Sequence, residues 1–291
     1  MASDKHSPSV AETTPTSASA DESQKKSISA RDAWYPPKQR DFYVLKELVS
    51  KDFKLKYRRS VLGVAWSVLN PLLMMIVMTV VFSTFLGAKD PTISNYSLYL
   101  ILGNTAFSLM SDSTSQGLRS IIDASSLLKK VKVNRIVFPV QKVLSALVNY
   151  GFSLIAVAIV MIYFQTPLSW WILLLPVAVA LLALFSVGLS LLLSAATVFF
   201  RDVIHLWSVV LTAWTYATPL FYSTNMLSDW MVSFENFNPM YIYVTFIRDI
   251  LLYQQCPAMR TIVAAVLFAV VSLAIGYAVF HHNEHKFILY I

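Results

Sequence analysis

Four stretches of this chain, 67–85, 144–164, 170–200 and 261–280, run for 19 to 31 residues without one Asp, Glu, Lys or Arg. The hydrocarbon core of a bilayer is about 30 Å thick and an α-helix rises about 1.5 Å per residue, so uncharged apolar runs of this length predict membrane-spanning helices. Two weaker runs, 96–115 and 204–221, complete a set of six predicted spans. The composition agrees, because 56% hydrophobic and 13% charged side chains leave too little polar surface to enclose such a chain in water. A soluble enzyme is excluded. The one cysteine, Cys256, can form neither an internal disulfide nor a thiolate metal cluster, and the seven glycines show no phosphate-binding spacing. The chain therefore has no nucleotide-binding motif of its own.

An even number of spans puts both termini on one side, and basic residues select the cytoplasmic side. With the termini inside, 20 of the 23 Lys and Arg residues are cytoplasmic, leaving Lys89, Arg248 and Arg260 outside. The net charge of +7 is thus explained by topology, and nucleic acid is not an expected partner. Residues 1–40 are rich in Ser, Thr and Ala and contain no signal-peptide core, which predicts a disordered cytoplasmic tail. Residues 41–60 read as an amphipathic helix lying at the membrane surface, with Phe42, Phe53 and Tyr57 on an apolar side and Lys51, Lys54, Arg58 and Arg59 offered to lipid head groups. Asp52 and Lys56 interrupt its apolar arc.

Within the predicted membrane domain, 61–291, the first span is entered through Asn70-Pro71, with the proline expected in the first helical turn. The second carries Asn104, Ser108, Ser111 and Asp112, so it belongs inside the bundle, facing helices or a cavity. The fourth is long enough to tilt or bend near Pro176. Between the second and third spans, 119–142 is apolar and basic, and Phe138-Pro139 predicts extended or broken backbone at Phe138. The connection between the fourth and fifth spans presents Arg201 and Asp202 at the surface. Trp214, Tyr216, Phe221, Tyr222 and Trp230 cluster around and after the fifth span, either as stacking surfaces for sugar rings or as an interfacial aromatic belt. His281 and His285 stand at i, i+4 without a third ligand placed by spacing, so no metal site and no catalytic residue is assigned.

The succession KDFKLKYRRSVLGVAWSVLNPLL, SSLLKKVKVNRIVFPVQKVLS, FFRDV and ENFNPMYIYVTFIRDILL, over about residues 40–291, resembles the membrane subunit of ABC-2-type exporters of O-antigen, capsule and teichoic acid. The resemblance implies an all-α, type V exporter-like permease of the bacterial cytoplasmic membrane: an interfacial helix, six spans and a second copy of the chain forming a conduit. It implies two separate ATPase subunits carrying ATP and Mg, with no cofactor on this chain. Leu128, Lys129, Lys130, Asn134, Arg135, Arg201 and Asp202 would meet the ATPase. Residues 224–258, with Asn238-Pro239 and Arg248-Asp249, would form extracytoplasmic half-helices closing the outer mouth. A lipid-linked glycan would pass a path formed by Asn104, Ser108, Trp214, Tyr216, Phe221 and Tyr222.

The residues agree with a conduit driven from elsewhere, since four of the spans lack the buried ionisable groups of a proton-coupled carrier. Two alternatives remain. One is an ABC-2 exporter of drugs or small lipids, and the other is a membrane-integral transferase acting on lipid-linked sugars. The latter would need convergent acids, bases or nucleophiles, whereas Asp112 stands alone and the His residues lie at the far C-terminus.

Overall fold

A computed structural model describes residues 37–57, 62–82, 93–129 and 133–290, and these are helical, with no strand among them. Contacts divide the chain after Tyr43. Of the first unit only 37–43 are described, with Phe42 and Tyr43 exposed. The proposed tail up to 36, Lys89, Arg58, Arg59 and Lys130 lie outside the described residues. The elements are α1 (Pro37–Tyr57), α2 (Ala65–Phe82), α3 (Tyr96–Gly117), α4 (Ser120–Asp123), α5 (Ser125–Leu128), α6 (Val137–Tyr163), α7 (Leu175–Phe199), α8 (Val203–Ala217), α9 (Asp229–Glu235), α10 (Pro239–Leu251), α11 (Met259–Asn283) and α12 (Phe287–Tyr290).

Four helices are long and apolar enough to cross a membrane: α2, α6, α7 with its preceding turn from Trp170, and α11. The two weaker predicted spans are helices of a different character. α3 has the length, and 14 of its 22 residues are buried, as its polar content predicts. It sits among α2, α6, α7, α8 and α10. α8 has only 15 residues, a rise of about 22 Å, which is short of the hydrocarbon thickness of about 30 Å. The predicted helical character of 218–221 is not found; the chain leaves the helix at Thr218 and continues as irregular backbone.

Proline accounts for three further differences. Pro71 is the seventh residue of α2 rather than part of its first turn, because the helix already begins at Ala65. Phe138 is helical, not extended: Pro139 is the third residue of α6, where its missing N–H has no intrahelical acceptor to lose. The third span therefore starts at Val137, seven residues before the apolar run. Pro176 likewise opens α7 instead of bending it, following a 3₁₀ turn at Trp170–Leu174.

Helices approach closely where side chains are small. A Cβ built on Gly276 of α11 would lie 2.0 Å from the Gly188 carbonyl oxygen of α7, and one on Gly188 would lie 2.3 Å from the Ser272 carbonyl carbon. Backbone therefore meets backbone, as in membrane helix pairs held by dispersion rather than by water exclusion. The Ser272 hydroxyl donates to the Phe185 carbonyl (2.9 Å) across this crossing. Hydroxyls of Thr105, Ser113, Ser186 and Thr197 donate to the carbonyls four residues earlier in their own helices, so they satisfy themselves within the apolar interior.

Candidate functional site

The irregular segment after α8 poses the sharpest physical problem, since Thr218 to Phe221 are buried and carbonyls outside a helix then need donors from elsewhere in the protein. Its consecutive carbonyls at Pro219, Leu220, Phe221 and Tyr222 all find donors. Arg248 of α10, 3% exposed, donates from Nη1 to Pro219 (2.9 Å) and from Nη2 to Leu220 (3.1 Å) and Tyr99 (3.1 Å). The Tyr96 hydroxyl donates to Phe221 (2.6 Å), and the Tyr99 hydroxyl shares its proton between Tyr222 (2.7 Å) and Pro219 (3.1 Å). The guanidinium carbon lies 3.4 Å from the centroid of the Tyr99 ring, a cation–π contact. No carboxylate pairs with Arg248 among the described residues, and its Nε is without a partner there. The cation is held by carbonyl dipoles and a π face.

Gly103 makes room for this clamp, because a Cβ there would stand 2.5 Å from Nη2 of Arg248. The Lys and Arg count treats Arg248 only as a charge outside the membrane; the structure adds that its side chain is buried among protein groups. Its carbonyl partners are irregular backbone, which hydropathy does not register. Tyr96 and Tyr99 also escaped the sequence reading, although their i, i+3 spacing puts both hydroxyls near one face of α3.

A second network fixes the start of α10. Asn238 is its N-cap, with Oδ1 accepting from the Met240 N–H (3.1 Å), and Pro239 occupies the first helical position. The same Oδ1 accepts from the Trp214 indole (2.8 Å), while Nδ2 donates to Thr218 Oγ1 (3.0 Å) and Glu235 Oε2 (2.9 Å). One amide thus ties α8, α9 and α10 together. Burial pushes the Glu235 carboxyl above its ordinary range, and the Asn238 hydrogen bond opposes that shift.

At the other end of the bundle, α4 and α5 precede α6. Ile121, Phe138, Leu191, Val198, Phe280 and Phe287 are buried in one apolar cluster, and Leu127 and Leu128 pack against it. Through it the 119–142 segment, the last turns of α7 and the C-terminal residues are joined. Arg135 Nη1 donates to the Glu284 carbonyl after α11. Lys129, Asn134, Arg201 and Asp202 are exposed. His281 pairs with Glu284 (2.8 Å) and stacks on Tyr277.

Lys51 and Lys54 of α1 are exposed, while Phe53 stacks on Phe152 of α6 with centroids 5.7 Å apart. Asp52, which breaks the apolar arc in the sequence, docks the helix: its carboxylate accepts from Lys142 Nζ (2.5 Å) and Gln141 Nε2 (2.7 Å) of α6.

The residues expected along a glycan path separate into two groups. Asn104 and Ser108 line a cavity with Asp112, between α2, α3 and α6. Trp214 is held in the Asn238 network, Phe221 stacks on Phe82 (5.6 Å), and the Tyr222 hydroxyl donates to the Tyr216 carbonyl (2.9 Å). The Tyr216 ring is 67% exposed and Trp230 is 71% exposed.

The description of the ABC-2 type transporter family matches residues 43–252, which include the clamp, the Asn238 network and the 119–142 segment. The chain is 30% identical over 247 residues to a Myxococcus xanthus protein named O-antigen export system permease protein RfbA, covering 84% of this chain and 94% of that protein. Two Klebsiella pneumoniae proteins of the same name are 25% identical over 248 residues and 27% identical over 198 residues, covering 94% and 75% of their own lengths.

Proposed function

We propose, from the premise that this chain belongs to the ABC-2 type transporter family, that it is the transmembrane subunit of an exporter of a lipid-linked cell-surface polysaccharide. The observation that carries this reading is the match to permeases named for O-antigen export along 94% of the length of two of them. A multi-pass membrane protein follows from the family and from the four apolar helices. The finer assignments are part of the proposal: six spans in the bacterial cytoplasmic membrane, both termini cytoplasmic, two copies forming the conduit, and a glycan of the O-antigen or teichoic acid type. The exposed lengths of α2 and α8, where α8 buries only Leu211 and α2 only Pro71, leave faces for a second copy.

Energy comes in this proposal from separate ATPase subunits that bind ATP and Mg. Leu128, Lys129, Lys130, Asn134, Arg135, Arg201 and Asp202 meet that partner, and Lys129, Asn134, Arg201 and Asp202 are exposed for it. The apolar cluster behind Leu127 and Leu128 carries displacement of this surface into α6, α7 and α11. Residues packed into one core move together, because a close-packed interior is not freely deformable.

The test is co-expression of the chain with an ATPase partner and measurement of surface glycan. Lys129→Glu with Lys130→Glu should abolish export while leaving membrane insertion intact, since most cytoplasmic cations remain. Normal export by that variant would remove the segment from the coupling role. Absence of glycan export by the wild-type pair, with substrate supplied, would overturn the exporter assignment.

A further inference from the structure

Three helices turn polar side chains into one cavity. Asn70 of α2, Asn104 and Asp112 of α3, and Asn149 of α6 line a cavity of 420 Å³, with Trp66 and Lys56 also on its wall. Ser108 falls between Asn104 and Asp112 at i+4, and Ser153 follows Asn149 at the same spacing, so each helix presents a stripe rather than a single group. Such groups cost several kcal/mol each against hydrocarbon, and intramembrane polar clusters mark binding sites by default. Their gathering here is an arrangement, not scatter.

We propose that this cavity is a saccharide subsite, holding one or two sugar rings of the lipid-linked substrate before the polymer enters the conduit; the proposal rests on the exporter reading. A carboxamide carries two N–H donors and an oxygen with two lone pairs, a set that complements neighbouring ring hydroxyls, which each donate once and accept twice. The Asp112 carboxylate accepts from hydroxyl pairs, and the Trp66 indole supplies an apolar face for ring C–H groups. Charge selects among ligands. One lysine and one aspartate balance, so the cavity lacks the positive excess that a pyrophosphate needs, and Lys56 opposes a metal cation beside Asp112.

Size restricts the occupant further. The volume lies in the range of small-molecule sites, and Asn104 to Asp112 spans a rise of about 12 Å along α3. Alongside, Leu69, Leu73, Ile76 and Val80 of α2 are exposed, an apolar face on which a hydrocarbon tail can lie. A sugar head with a lipid tail matches both surfaces at once.

The test uses the full chain in lipid nanodiscs and saturation-transfer NMR with methyl glycosides of glucose, galactose, mannose and N-acetylglucosamine, with phosphorus NMR line broadening of inorganic pyrophosphate as comparison. At least one glycoside should receive saturation, the pyrophosphate phosphorus line should not broaden, and Asn104→Leu or Asn149→Leu should weaken glycoside binding about tenfold. Ser153→Phe, which fills the cavity without removing an amide, should do the same and guards against a variant that fails to fold. Lack of transfer to any glycoside, transfer unchanged in all three folded variants, or pyrophosphate binding abolished by Lys56→Gln would overturn the subsite. Export separates the two layers. If wild type with its ATPase exports glycan and the three variants keep its rate, the subsite falls and the exporter stands; if glycosides bind as expected but wild type exports no glycan, the exporter reading falls and the site stands.

Discussion

Arg248→Met replaces a buried cation by an apolar side chain of similar length, and its effect can be worked out from the clamp. Pro219 keeps the Tyr99 hydroxyl as donor, and the Tyr99 carbonyl lies within α3, so Leu220 is the carbonyl that loses its recorded donor. Leaving that group unpaired costs about 2 kcal/mol, and losing the contact with the Tyr99 ring costs about 2 kcal/mol more. Met no longer has to strip water from a guanidinium, which brings the net loss to about 2 kcal/mol. For a chain of this size that lowers Tm by about 4–8 °C, measured by thermal unfolding of the protein in nanodiscs. Arg248→Lys should recover only part of this, because one ammonium cannot reproduce a planar fork aimed at three carbonyls. Gly103→Ala should destabilise the wild type by pushing on Nη2 at 2.5 Å, but by at least about 1 kcal/mol less in the Arg248→Met background. Equal stability of Arg248→Met and wild type, or an equal cost of Gly103→Ala in both backgrounds, would refute the clamp.

Gly188→Ala or Gly276→Ala should cost about 1–3 kcal/mol each and lower the yield of folded protein on size exclusion, because the added Cβ meets backbone that cannot yield. Gly151→Ala, with open space around it in α6, should instead raise Tm slightly. Asp52→Lys should loosen α1 from α6, and Lys142→Asp added to it should restore Tm, a restoration that distinguishes the ion pair from mere packing. Glu235 is raised by burial, so its contribution is full below the ordinary glutamate value of 4.5 and is lost as pH rises through the higher folded value; Glu235→Gln should therefore gain Tm relative to wild type at pH 8 more than at pH 4. Cys256 is exposed between α10 and α11 and should react with an impermeant maleimide added to intact cells; labelling only after lysis would reverse the proposed orientation.

Hydropathy made the helices legible because their length is set by the bilayer, and α3 was placed inside by four polar side chains. What it could not locate is where backbone geometry or a long-range partner decides. The end of α8 at Ala217 is invisible to an apolar count, since Leu220 and Phe221 are as hydrophobic as the helix before them, and only Pro219 marks the stop locally. Likewise Asp52 looks like an interruption until Lys142, 90 residues away, is brought against it. Arg248 reads only as one charge in the topology count, because counting basic residues does not see a side chain's burial. The Asn238-Pro239 pair did carry a signal, a side-chain cap followed by a proline at the first helical position, but nothing local announces that the same amide binds Trp214 and Glu235.

α3 connects these regions by construction. Tyr96, Tyr99 and Gly103 belong to the clamp, Asn104, Ser108 and Asp112 to the polar cavity, and Gly117 to the crossing with α7, where a Cβ would meet Ser190 at 2.7 Å. Ser190 in turn donates to the Ser113 carbonyl (3.1 Å), and the Trp207 indole of α8 donates to Thr114 (3.1 Å). From Tyr99 to Gly117 the helix rises about 27 Å, close to the hydrocarbon thickness. No proline interrupts it, and its buried hydroxyls at Thr105 and Ser113 turn back onto their own helix instead of opening it. An unbroken helix neither lengthens nor shortens appreciably. A displacement of its Gly117 end against α7 therefore has to reappear at its Tyr99 end, as a shift of Tyr99 against the carbonyls of Pro219 and Tyr222.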